Sequence, residues 1–336
     1  MLHTLVTILW KVAMRITATL LMLGLLPSFA VWGEDTPANL FASGSTIFMV
    51  RAQDPDGRIN YGSAVLVQPG KLVTNCHVTR QARHIVVIRG SAAWSVESQS
   101  RDIEHDLCIL AVRDVVGDIP DFAKTSELNV GETVYALGYR GPGHPTLSDG
   151  EVVALHPYDG ARVIQTSASF TFGESGGGLF DGQGRLVGII TFKTLAGGSF
   201  HFALPIEWVQ AVLARSDNKT AMITPESGKA FWERPSEGQP NFMQAATFEA
   251  EKNWSGLLEF AQGWIEADTT NAGAWIAKSK ALRYLNHEIE AASAFYEAVR
   301  FDPSYAQNEY QLELTHHNLN ESDTVQNVRA SFTPSQ

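Results

Sequence analysis

Gly173-Glu174-Ser175-Gly176-Gly177 presents one serine inside a run of glycines, and its reading decides the fold of this chain. Glycine at such positions lets the backbone turn sharply and come close to a bound molecule. A Gly-x-Ser-x-Gly run also occurs where a strand feeds a helix, so the residues that follow it matter. Here Leu179 and Phe180 lead into the turn Asp181-Gly182-Gln183-Gly184, then into a strand-like apolar run over 185–191. That is the signature of a hairpin, not of a strand–helix junction. Upstream stand Thr74-Asn75-Cys76-His77 and His105-Asp106-Leu107-Cys108, so the chain supplies His, Asp and Ser in that order.

The order discriminates among folds that build one triad, since Ser-Asp-His marks α/β-hydrolases and Asp-His-Ser subtilisins. The three segments resemble those of trypsin-like serine proteases, most closely the bacterial HtrA (Deg) branch. Residues 61–67 resemble that family's strand into the histidine segment, 134–139 and 149–153 the paired strands of its second barrel, and 202–206 its last strand. The resemblance extends over residues 41–213 and implies two six-stranded antiparallel barrels with the active site between them. It further implies Ser175 as nucleophile, His77 as the base that activates it, and Asp106 as the group that orients the imidazole. The amides of Gly173 and Ser175 would form the oxyanion hole, worth roughly 3–4 kcal/mol per donor. No metal and no organic cofactor is implied. His84, His144 and His156 have no comparable neighbours and read as ordinary polar residues.

Two positions depart from the family. Glu174 stands where HtrA-like proteins carry Asn and digestive relatives carry an Asp that pairs with a newly cut N-terminus. Nothing here resembles an activation site, so Glu174 is expected to find another donor or water. Gly178 stands where Pro is common, a change expected to loosen the turn slightly without touching chemistry. By position, Ser169 and Phe170 form the base of the primary pocket, Thr191, Phe192 and Lys193 one wall, and His201 the other. Two readings of that pocket stay open: Lys193 and His201 select an acidic or small side chain, or Lys193 faces solvent and the pocket is shallow and apolar. No aspartate occurs at the base, so a preference for Lys or Arg is not expected.

Beyond the triad, short apolar runs alternate with turn signals over 46–52, 61–68, 71–76, 83–88, 107–112, 133–139, 151–156, 162–167, 185–192 and 199–203, as in an all-β domain. The only two cysteines, Cys76 and Cys108, flank triad members. A disulfide and two buried thiols are both compatible with the sequence.

The 336 residues carry a formal net charge of -11 and no Lys/Arg-rich block, so nucleic acid is not an expected partner. Lys11 and Arg15 precede an apolar run ending at Pro27, and Ser28-Phe29-Ala30 offers a small-residue cleavage site. Residues 1–30 therefore read as a secretory signal that directs the chain to the periplasm or outside the cell, with Met14 as an alternative start. An uncleaved anchor is the competing reading, and only it would put the protein at a membrane. Residues 31–40 form a short N-terminal segment and 41–215 the protease domain.

Residues 216–240, with Pro225, Pro235 and Pro240, read as a linker. Beyond it Asp268-Thr269-Thr270-Asn271-Ala272 returns as Asp302-Pro303-Ser304-Tyr305-Ala306, 34 residues later. That is the period of the tetratricopeptide repeat. Residues 241–318 are expected to form such an all-α domain, with one clear repeat over 274–300, a degenerate one over 241–267, a capping helix over 306–318 and a disordered tail over 319–336. It stands where HtrA proteins carry PDZ domains, and its partners would be proteins or peptides. The resulting expectation is an exported serine endopeptidase acting on protein or peptide substrates. A protease fold without activity, serving as a scaffold or periplasmic chaperone, is the alternative.

Overall fold

The computed structural model describes residues 44–194, 200–216, 222–307 and 309. The signal, the 31–40 segment, the tail and most of the expected capping helix lie outside the described residues. Two closed antiparallel barrels of six strands are followed by helices. The first barrel consists of β1 (Ile47–Gln53), β2 (Ile59–Gln68), β3 (Lys71–Asn75), β4 (His84–Arg89), β5 (Ala92–Asp102) and β6 (Leu107–Val112), and closes in the order β1-β2-β3-β6-β5-β4. The second consists of β7 (Thr133–Gly138), β8 (Thr146–Tyr158), β9 (Ala161–Thr166), β10 (Gly178–Asp181), β11 (Leu186–Thr194) and β12 (Phe200–Pro205), in the order β10-β11-β12-β9-β8-β7.

The two-residue period of a strand explains how the barrels join. In β1, Phe48, Val50 and Ala52 share the interior of the first barrel with Leu66, Leu72 and Leu110. The alternate residues Ile47 and Met49 belong to a central cluster with Leu137, Phe180, Ile189 and Phe202 of the second barrel. Strand β1 thus spends one face on its own barrel and the other on the cluster shared by the two barrels. The β5 strand has no counterpart in the sequence reading. Its only large apolar residues are Trp94 and Val96, and it buries Gln99 and Ser100 instead.

A single helical turn, α1 (Cys76–Thr79), follows β3, and α2 (Ile206–Ser216) follows the second barrel and buries Trp208, Val209 and Val212. The linker expected over 216–240 is not a free tether in its described part. Phe231 is fully buried and packs against Tyr158, Phe192 and Trp208. Pro, Ser and Gly recur through this stretch, but the run Ala230-Phe231-Trp232 inside it has enough apolar surface to dock.

Four helices follow: α3 (Asn241–Ala250), α4 (Trp254–Ala267), α5 (Ala272–Tyr284) and α6 (Glu288–Phe301). Asn253 and Asn271 cap α4 and α5 by accepting from the amides of Gly256 and Ala274. Both α4 and α6 have 14 residues and end in an aspartate, Asp268 or Asp302, of nearly the same backbone conformation (φ -148°, ψ 94° and φ -146°, ψ 91°). Phe242 and Met243 of α3 join the central cluster, so the helices share a core with the barrels. His156, which looked ordinary in sequence, is buried there. Its ring stacks on Phe242 at 4.6 Å and its Nε2 donates to Gln165 Oε1 at 2.8 Å.

Candidate active site

His77, Asp106 and Ser175 come from three different connections; His77 and Asp106 pair directly, and the Ser175 loop packs against the residues before His77, where a Cβ on Gly176 would lie 3.1 Å from the Asn75 amide nitrogen. His77 sits on α1, immediately after β3. Its backbone amide donates to Asp106 Oδ1 at 2.7 Å, and its Nδ1 lies 2.6 Å from Asp106 Oδ2. Asp106 occupies the turn between β5 and β6 with φ 57°, a left-handed conformation that Asp tolerates better than most residues. Its side chain is fully buried, whereas that of His77 is 21% exposed, so one ring edge stays accessible. The turn is further tied to β3 by Asp106's carbonyl, which accepts from the Cys76 amide at 3.1 Å and from Asn75 Nδ2 at 3.1 Å. Cys76 and Cys108 are joined by a disulfide, which fastens α1 to β6 beside this pair.

Ser175 lies in the loop between β9 and β10. Its hydroxyl donates to the Thr191 carbonyl at 3.2 Å, and its own carbonyl accepts from the Ser63 amide at 2.8 Å. Thr191 also accepts from Asn75 Nδ2 at 2.9 Å through its hydroxyl, so one residue of β11 contacts both the serine loop and the segment leading to His77. The glycines flanking Ser175 are required by close approach. Gly176 has φ 88°, and a Cβ there would lie 2.2 Å from the Ser63 carbonyl. Gly173 has φ 91°, and a Cβ would lie 2.7 Å from the Tyr139 carbonyl.

The amides of this loop divide into two groups. Those of Glu174, Gly176 and Gly177 donate to the carbonyls of Thr171, Ile190 and Glu174. Those of Gly173 and Ser175 have no acceptor among the described residues. Ser63, on β2 of the first barrel, braces the loop by donating its hydroxyl to the Gly173 carbonyl at 2.8 Å and accepting from the Tyr139 amide at 2.8 Å. Glu174 finds its donor in Arg140, whose Nε lies 2.9 Å from Oε2, and in the Thr171 amide at 2.8 Å.

The predicted pocket residues are only partly brought together. The rings of Phe170 and His201, both buried, lie 4.8 Å apart. Ser169 is exposed, with its carbonyl accepting from Ser148 Oγ at 2.5 Å. The Thr191 hydroxyl points to Asn75 and the Ile189 carbonyl. Phe192 is sandwiched between Phe202 at 4.8 Å and Trp232 at 5.0 Å, both nearly parallel to it. The Lys193 side chain lies outside the described residues.

Charged neighbours surround the pair. His105, one residue before Asp106, bridges Asp102 at 3.0 Å and Asp159 at 2.7 Å. Burial pulls its pKa down, but the two carboxylates outweigh this and hold it above the ordinary histidine value. Arg80, three residues after His77, forms a two-pronged ion pair with Glu233, in which Nη2 donates to Oε1 at 2.7 Å. Burial pushes Glu233 up, and the guanidinium more than offsets it, leaving the carboxyl below its usual range. Ser63, Arg140 and Trp232 are the site residues that the sequence reading missed. Only Ser63, inside the strand recognised over 61–67, stood in a segment already singled out.

Residues 62–189, from β2 into β11, match the family model of the trypsin-like peptidase domain. Over 168 residues the chain is 32% identical to serine protease HTRA2, mitochondrial, of Drosophila pseudoobscura pseudoobscura, an overlap of 47% of this chain and 39% of that protein. The corresponding protein of Drosophila willistoni is 31% identical over 169 residues, covering 47% and 38%. The chain thus spans about two fifths of the length of these curated relatives. Among solved structures, the HtrA-type protease AlgW with tripeptide is 26% identical with a TM-score of 0.50, over 55% of this chain and 64% of that one. The active form of the Rv3671c protease from M. tuberculosis, at 23% identity and TM-score 0.50 over 57% and 88%, shares the fold. Residues 62–189 are thus similar to trypsin-like peptidase domains, and the chain to HtrA-type serine proteases.

Proposed function

We propose that the chain is a serine endopeptidase acting on protein or peptide substrates. The observation that supports this reading is the direct His77–Asp106 pair together with Thr191, which contacts both Ser175 and the residue two before His77, beside two loop amides with no acceptor among the described residues. Ser175 Oγ attacks the substrate carbonyl as His77 Nε2 takes its proton. The buried Asp106 carboxylate keeps Nδ1 protonated and stabilises the imidazolium. The Gly173 and Ser175 amides receive the negative charge that develops on the carbonyl oxygen. His77 then returns the proton to the leaving amine, and water resolves the acyl-enzyme by the same route in reverse. For attack, the Ser175 hydroxyl turns from the Thr191 carbonyl towards His77.

The residues flanking this machinery refine the reading. Phe170 and His201 fill the space expected for the primary pocket, which favours a small side chain before the scissile bond over a long one. The helices after residue 241 supply a second, partner-binding surface of tetratricopeptide-like form. The 34-residue offset between α4 and α6 supports this, as does a groove of about 640 Å³ between Leu258, Trp275, Lys278 and Ala294. Residues 1–30 direct export.

The test compares the wild-type chain with Ser175→Ala in reaction with a fluorophosphonate probe. Labelling of the wild type alone establishes an activated nucleophile. A folded wild type that resists the probe would overturn the reading in favour of a scaffold.

A further inference from the structure

The segment between the barrels and the helices is stitched to the two chain segments that carry His77 and Asp106. The Glu226 amide donates to the Arg80 carbonyl at 2.7 Å, and Glu233 pairs with the Arg80 guanidinium. The Phe231 amide donates to the Glu104 carbonyl at 3.0 Å, and Arg234 pairs with the Glu104 carboxylate. Arg80 lies three residues beyond His77 and Glu104 two before Asp106. Between these anchors, Trp232 meets His77 edge-on at 5.5 Å and 87° and stacks on Phe192 at 5.0 Å. Its indole Nε1 donates to Asp106 Oδ2 at 3.3 Å.

That contact matters because of what else holds Asp106. The carboxylate is fully buried, and a buried charge needs several donors. Its other two side-chain partners among the described residues, an amide and a ring nitrogen, both belong to His77. Donors from a single residue move with that residue and leave the pair free to shift together. Trp232 is the donor that comes from a separate part of the chain, and its ring also walls off one side of the imidazole.

The geometry points to Trp232 as a positioning residue for the reaction, holding the Asp106 carboxylate and the His77 ring in register with Ser175. The inference rests on the serine endopeptidase reading for its consequence, and on the hydrogen bond alone for its structural part. It makes the segment after the second barrel part of the catalytic apparatus.

The test uses the full chain and W232F, which keeps an aromatic ring against Phe192 and removes the N–H. Two readouts are taken: the downfield proton resonance of His77 Nδ1–H and the rate of fluorophosphonate labelling. The expected result is a displaced, faster-exchanging resonance and labelling slowed about ten- to a hundredfold, the effect of losing one hydrogen bond to a charged group. E233Q, which loosens the anchor on Arg80 without touching Trp232, should shift both readouts the same way by less, and it carries the test if W232F does not fold. An unchanged resonance, or unchanged labelling of a folded variant, would overturn the inference. A wild type that resists the probe but whose resonance still moves in W232F would refute the endopeptidase reading while supporting the hold on Asp106.

Discussion

Arg140 Nε lies 2.9 Å from Glu174 Oε2, and this places a half-exposed guanidinium on a carboxylate whose side chain is 1% exposed, directly beside Ser175. The Glu174 backbone and side chain both touch the loop that presents the nucleophile. Its carbonyl accepts from the Gly177 amide, and its carboxylate accepts from the Thr171 amide at 2.8 Å. One oxygen of the acid, Oε2, is therefore held by two donors from within the chain, while Oε1 is buried with no hydrogen-bond partner among the described residues.

Replacing Arg140 by Met should uncouple reactivity from stability. A buried carboxylate without its cation either takes up a proton or pulls the loop towards solvent, and both disturb the Gly173 and Ser175 amides. Because the guanidinium is itself half exposed, solvent screening limits the stability loss to roughly 1–2 kcal/mol. Probe labelling of Ser175 should fall at least about tenfold. Glu174→Gln, which still accepts from Thr171, should be milder. Labelling that stays at the wild-type rate in Arg140→Met would show that the pair does not organise the loop.

The Cys76–Cys108 disulfide closes a sequence separation of 32 residues that contains β4, β5 and Asp106. Loop closure of that length predicts a loss of about 3–4 kcal/mol when both cysteines become Ala. The urea midpoint should drop accordingly. Labelling of Ser175 should slow as well, because Cys76 directly precedes His77. Thiol titration of denatured protein should find free thiols only after reduction.

Phe231→Ala tests whether the region between the barrels and the helices belongs to the core. The ring is fully buried against Tyr158, Phe192 and Trp208. Truncation should cost about 3–5 kcal/mol, as for other buried aromatic residues. A change below about 0.5 kcal/mol in urea unfolding, typical of surface positions, would show that this segment behaves as a tether in solution.

His156 should make stability depend on pH. Burial lowers its pKa from 6.5 to about 4, outweighing the hydrogen bond to Gln165, which raises it; Nδ1 has no hydrogen-bond partner among the described residues. The unfolded chain therefore binds the proton first. This contribution to stability is fully present above about pH 6.5 and is lost as pH falls towards about 4, by roughly 3 kcal/mol in total. His156→Gln should flatten the acid limb of a plot of unfolding free energy against pH. His105 acts in the opposite sense: its raised pKa gives stability below the unfolded value that is lost as pH rises through the folded one.

The three candidate triad residues could be singled out in sequence because each sits in a local pattern that the proposed chemistry demands. Ser175 lies among glycines that a Cβ would obstruct, His77 follows an apolar strand, and Asp106 precedes another. An all-β domain was legible from the apolar runs and the two barrels from the family resemblance; β5, where polar Gln99 and Ser100 fill buried positions, and the four-residue β10 had no run of their own. Trp232 and Arg140 were not legible. Their contacts span 126 and 34 residues, and neither lies in a segment with a recognisable pattern. Composition even argued against Trp232, since prolines and glycines around it mask the one apolar run that docks.

What the sequence determined by itself is what short-range physics encodes. Period-two alternation gives strands, glycines give the tight serine loop, asparagine caps start helices, and the order of His, Asp and Ser selects the two-barrel arrangement. Tertiary structure alone decided which groups satisfy the buried charges: Arg140 on Glu174, Trp232 on Asp106, Arg80 on Glu233. A buried carboxylate accepts any donor that reaches it, so its partner is set by how distant segments pack against one another. Only the closed barrels, with the post-barrel segment laid across their seam, bring those donors within reach.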